Sequence, residues 1–122
     1  MSPQLTPKQR DLLAQVLAQF ADRIGSVAVF GSRASGTAEP CSDIDLVVYG
    51  DLDAAAEARL SALFEESDLA VTVDVVTYNN ISHEGLRRHI DKAAVELFTQ
   101  ADLRREAARW STHGAPDPAQ RA

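Results

Sequence analysis

A single cysteine, Cys41, occurs in 122 residues. That excludes an intrachain disulfide and any zinc site built from clustered cysteines, and it leaves Cys41 as a filler in a loop. No apolar run approaches the ~18 residues that a membrane-spanning helix needs, so no membrane contact is expected. The opening Met1-Ser2-Pro3-Gln4 lacks a basic leader and an apolar stretch with a small-residue cleavage site, so no secretory signal is expected and a cytoplasmic location follows. No internal repeat is visible. Positive charge is scarce as well: 12 Lys/Arg against 18 Asp/Glu give a formal charge of −6. Such a balance argues against a domain held to nucleic acid by a general phosphate-seeking field, and no direct nucleic-acid binding is expected. The acidic excess is uneven. Residues 1–82 hold 5 Lys/Arg and 12 Asp/Glu, whereas residues 83–122 hold 7 and 6.

What remains is an ordinary globular composition, 45% hydrophobic and 25% charged. The length allows one compact domain with a modest core. Thr6-Pro7 followed by Gln9 has the form of a helix start, with a capping hydroxyl, proline in the first turn and glutamine three places on. Leu12, Leu13, Val16, Leu17, Phe20 and Ile24 continue at helical spacing, which predicts a helix to about Ile24 with Gly25 as a left-handed cap. Val27–Phe30 is a short strand that stops at Gly31-Ser32. A second strand spans Asp43–Tyr49, and residues 53–66 form a helix with Ala56, Leu60, Leu63 and Phe64 inward. Val71–Thr77 alternates as a third strand, with Val71, Val73 and Val75 on one face and Thr72, Asp74 and Val76 on the other. A helix over 82–92 turns Leu86 and Ile90 inward, residues 94–99 read as an edge strand, and a last helix lies near 102–111. Residues 112–122, with two prolines and a glycine, read as a loose tail, so the domain is 1–111. The predicted fold is α/β (α+β), a small mixed sheet with helices packed on one face and an acidic cleft opening on the other.

Two acids at positions 43 and 45 of a strand point to one side, their side-chain bases roughly 6–7 Å apart. Like charges so close are costly unless a cation sits between them. Magnesium fits, because it takes oxygen ligands and is shared between one or two carboxylates and substrate phosphates; a pair of ions could be bridged by such acids. Gly31 ends its strand where the backbone can approach a ligand closely. Ser32 then offers a hydroxyl and the amides of a helix start, and Arg33 a cation, for a phosphate. Asp74, in an otherwise Val/Thr strand, is a local misfit of the kind found at functional sites. If its strand neighbours the second, it faces the same cleft. His83 and His89 read as surface residues, His113 falls in the tail, and Trp110 reads as a packing anchor for the last helix.

Gly31-Ser32-Arg33-Ala34-Ser35-Gly36, ten residues from Ser32 to Asp43-Ile44-Asp45, and the following Leu46-Val47-Val48 resemble the signature of the DNA polymerase beta nucleotidyltransferase superfamily, and more narrowly its minimal nucleotidyltransferase (MNT) group. The resemblance implies the nucleotidyltransferase fold, ATP as nucleotide donor and two magnesium ions. It implies that Gly31 and Ser32 hold the triphosphate, that Asp43 and Asp45 hold metal, and that Asp74 binds metal and assists deprotonation of the acceptor. It further implies transfer of AMP to a hydroxyl, a tyrosine of a HEPN-domain toxin, by an antitoxin that forms a hetero-oligomer with it. Small-molecule transfer of the aminoglycoside type, and silencing of a toxin by contact alone, are the alternatives. The former is disfavoured because the chain ends without the long helical domain of antibiotic-modifying relatives, the latter because the acids are intact. Many relatives carry arginine where Ser35 stands, which implies one phosphate contact fewer. After residue 82, Arg87, Arg88, Arg104, Arg105 and Arg109 near Trp110 form the expected partner surface.

Overall fold

The computed structural model describes residues 3–112. The predicted tail from residue 113 onward, with His113, lies outside the described residues, and Thr112 belongs to the last helix. The elements follow in the order α1 (Pro7–Ala18), β1 (Ile24–Phe30), α2 (Ser32–Ser35), β2 (Ile44–Gly50), α3 (Ala54–Glu65), β3 (Val73–Thr77), α4 (Glu84–Ala93), β4 (Val95–Thr99) and α5 (Gln100–Thr112). They build the expected mixed α/β fold around a four-stranded sheet of order β3-β2-β1-β4. β1 runs antiparallel to β2 and β4, while β2 and β3 are parallel and joined by the α3 crossover. β4 is an edge strand, as its sequence suggests. Among the described residues no helix is long and apolar enough to cross a membrane.

The start of α1 follows its sequence closely. Thr6 Oγ1 accepts from the Gln9 amide at 3.1 Å and Gln9 Oε1 accepts from the Thr6 amide at 2.9 Å, closing a capping box. Its end does not. The helix stops at Ala18, a 3-10 turn covers Ala21–Arg23, and Ile24 opens β1 fully buried. Gly25 is a strand residue without a left-handed conformation, since positive φ occurs among the described residues only at Gly31 and Gly36. Helical spacing persisted to Ile24 because Phe20 and Ile24 do face the core, one from a turn and the other from a strand.

Strand alternation sorts the two faces of the sheet. Val27 and Val29 of β1, Ile44, Leu46 and Val48 of β2, and Val73 and Val75 of β3 point into the main core. There they meet Leu13 and Leu17 of α1, Ala56, Leu60 and Phe64 of α3, and Leu103 of α5. Leu63 is only partly buried. The other face carries Ala28, Phe30 and Val47, and α4 lies on it with Ile90 buried among them and Leu86 beside them. Three long helices therefore share one face as expected, while α4 covers part of the second. The apolar residues of that second face need cover, and the Leu86–Ile90 ridge supplies it.

Candidate active site

β1 and β2 set the register of the site. Phe30 pairs with Asp45 across the antiparallel ladder, so the turn that follows Phe30 sits beside that acid. Gly31 makes this approach possible: at φ 72° and ψ −152° it occupies a region open essentially to glycine alone. A Cβ there would overlap Asp45 Oδ2 and come within 3.3 Å of its Cγ. The chain then enters α2. Ala34 and Ser35 amides donate to Gly31 O, and Gly36 closes the turn in the left-handed conformation with its amide on Ser32 O. The Ser32 and Arg33 amides stand at the helix start, outside the helical ladder.

On its other side Asp45 is paired with Asp74 in the parallel β2–β3 register, so the two project to one face of neighbouring strands about 4.8 Å apart. Asp43 stands exposed just before β2, whose first amide, Ile44, donates to Thr72 O at 2.9 Å. The three acids and Gly31 thus converge at one end of the sheet, on the face shared with α4. Their charges interact. The Asp45 carboxyl is pushed above its ordinary value of 3.8, first by burial and then by the charges of Asp74 and Asp43. Hard oxygen donors under mutual repulsion, two of them exposed, fit a divalent cation such as magnesium. Among the described residues no three His, Cys, Asp or Glu side chains form a set that could hold a metal unaided.

Arg33 behaves differently from its expected role as a phosphate cation. It is 4% exposed, and its Nη atoms donate to Gln4 O, Gln9 Oε1, Pro40 O and Ser42 O. Ser35 shares a hydrogen bond with Thr37 Oγ1 at 2.8 Å. His89 is exposed, as expected of a surface residue, and its ring stands edge-on to Phe30 at 6.3 Å, next to the Gly31 turn. No sequence signal pointed there. His83 caps α4, its Nδ1 accepting from the Leu86 amide at 3.0 Å. Trp110 is 37% exposed and donates to Glu106, so it is not the packing anchor expected. The arginines of α5 are engaged, Arg104 with Asp22, Arg105 with Asp102 and Arg109 with Glu106, while Arg87 lies over the Tyr78 ring at 4.6 Å on the face that α4 covers, so the expected surface is divided between the two sides of the sheet. A shallow depression lined by Phe20, Arg23 and Ala107 lies on the α1/α5 side, away from the acids.

A glycine turn against paired acids at the end of a mixed sheet is the site architecture of nucleotidyl transfer. The model of the family "Polymerase beta, Nucleotidyltransferase" matches residues 13–103, and the chain belongs to that family. A relative from Haemophilus influenzae, named "Probable protein adenylyltransferase MntA", is 40% identical over 74 residues, 59% of this chain and 64% of that protein. The chain therefore spans somewhat less than two thirds of the curated relative it matches. Among solved structures, a toxin-antitoxin with AMP-PNP superimposes with TM-score 0.63 at 24% identity, covering 86% of each chain. The complex of a tri-AMPylated Shewanella oneidensis HEPN toxin with its MNT antitoxin gives 0.54 at 22%, again over 86% of each. At these identities the likeness is one of fold.

Proposed function

We propose that the chain is a magnesium-dependent protein adenylyltransferase that moves AMP from ATP to a hydroxyl, a tyrosine, of a HEPN-domain toxin and so acts as its antitoxin. The observation that carries this reading is the convergence of Asp43, Asp45 and Asp74 beside Gly31-Ser32. Support for the acceptor comes from the name of the Haemophilus influenzae relative and from the toxin complexes that share the fold. An ATP-consuming reaction on such a partner belongs in the cytoplasm.

In this reading Gly31 lets the triphosphate lie against the backbone, and Ser32 donates its hydroxyl and amide to it. Asp43 and Asp45 would hold magnesium, with Asp74 completing the set; bound there, the metal supplies neutralisation of the triphosphate and Lewis acidity at the α-phosphate. Asp74 takes the proton of the acceptor hydroxyl. The freed oxygen bonds to the α-phosphorus, the bond from that phosphorus to the bridging oxygen breaks, and pyrophosphate leaves. The test uses ATP labelled either at the α- or at the γ-phosphate, with the purified chain, magnesium and its partner. Label from the α-position alone should enter the partner, and none with Asp45→Asn. Transfer of γ-label would replace this reading with a kinase.

A further inference from the structure

We infer that Arg33 is a positioning residue whose buried guanidinium, together with Gln4, latches the loop between α2 and β2 to the N-terminal segment and thereby sets where Asp43 stands relative to Ser32. This rests on the proposed role of Asp43 as a metal ligand. Gly36–Ser42 has no helix or strand of its own, although it joins the phosphate turn to the acids. A loop of that kind does not by itself hold two groups in fixed geometry. Arg33 lies one residue after Ser32 and reaches across it: Nη2 donates to Ser42 O at 2.8 Å, next to Asp43, and to Pro40 O at 3.3 Å. Nη1 donates to Gln4 O at 3.2 Å and Gln9 Oε1 at 3.3 Å.

Gln4 closes the latch from outside. Its amide donates to Arg33 O at 2.8 Å, its Nε2 donates to Ala38 O at 3.0 Å, and its Oε1 accepts from the Ala38 amide at 3.1 Å. Within the loop the Glu39 amide donates to Ser42 Oγ at 2.8 Å. The linker is thus tied at Ala38 directly to Gln4, and at Pro40 and Ser42 to Arg33, which Gln4 and Gln9 hold in turn from far away in sequence. A planar guanidinium presents its donors in a fixed fork and can orient two carbonyls at once, which an ammonium on a flexible stem cannot. Buried in this way, the side chain acts on the acids through the loop and not on a phosphate.

The test uses the full chain with Gln4→Ala, Arg33→Lys and Arg33→Met. Gln4 is exposed, so its variant keeps the fold even if an Arg33 variant does not. Two readouts are taken, amide hydrogen exchange over residues 37–43 and affinity for Mn2+ as the metal probe. The latch predicts faster exchange in that loop with β1 and β2 unchanged. It also predicts Mn2+ affinity lowered about 10–100-fold, as for other residues that orient metal ligands, with Arg33→Lys failing to restore either. Wild-type exchange in Gln4→Ala, or in a folded Arg33→Lys, overturns the latch; so does a loosened loop with undiminished Mn2+ affinity. A wild-type chain that binds no Mn2+, with the loop still loosened by the variants, supports the latch and counts instead against the proposed function.

Discussion

Asp45 carries a charge that its surroundings disfavour. Its carboxyl ionises above 3.8 because burial, Asp74 and Asp43 all resist the anion. In the unfolded chain it ionises near the ordinary value, so between that pH and its raised folded value the native state holds the extra proton. Native stability then falls as pH rises through this window, and the full penalty remains at neutral pH. Asp45→Asn should therefore melt at or above wild type at neutral pH, the difference shrinking as pH falls toward 3.8. Magnesium with a non-hydrolysable ATP analogue should raise the wild-type melting temperature and leave the variant's unchanged, while transfer falls by more than about 100-fold, beyond the loss seen for residues that only orient ligands. A variant melting well below wild type in the metal-free state would contradict the repulsion. Gly31→Ala should cost about 1–3 kcal/mol in backbone strain and also displace Asp45, weakening metal binding. Gly36→Ala, at φ 81° with nothing within 4 Å of the added Cβ, should cost only the left-handed penalty of about 1–2 kcal/mol. Urea denaturation and Mn2+ titration separate the two. The acids and Gly31 were legible in the sequence because period-2 alternation and glycine's backbone freedom are local properties. The place of Arg33 was not, since its partners at residues 4, 9, 40 and 42 are brought to it only by the fold.

Elements whose signals are local were read well: the capping box of α1, the β2 alternation and the inward ridge of α3. Where one element passes into the next, periodicity misled. Ile24 continues the helical spacing of α1 but is the first residue of β1. The side of the sheet that α4 covers was illegible for another reason: Leu86 and Ile90 show that the helix has an apolar ridge, not which surface receives it. Its second-face core is small, with Ala28, Phe30, Val47 and Ile90 the buried members. Ile90→Ala should remove about 2–5 kcal/mol from that contact, and because the main core lies across the sheet, the loss should appear as local opening. Hydrogen exchange should quicken in α4 with β1 and β2 amides protected. Equal loss in both would show that α4 and the main core unfold as one unit. With His89 against Phe30, a loosened α4 should also lower transfer.

Across the whole molecule, the acidic excess lies in residues 1–82, which include the three acids of the proposed site, and the more balanced charge lies after residue 82. The expected partner surface is less cationic than its sequence implied, because Arg104, Arg105 and Arg109 are each set against a carboxylate. Exposed pairs of this kind contribute little to stability and are screened by salt, and Arg87 and Arg88 of α4 stand on the other side of the sheet from Trp110 and the arginines of α5. The central claim is that this cleft joins AMP to a protein hydroxyl, and intact-mass measurement of a HEPN-domain partner co-expressed with the chain tests it most directly. The account predicts a partner heavier by whole AMP units with the wild-type chain and of unmodified mass with Asp45→Asn. A stable complex whose partner keeps its unmodified mass beside the wild-type chain, with ATP and magnesium present, would contradict it.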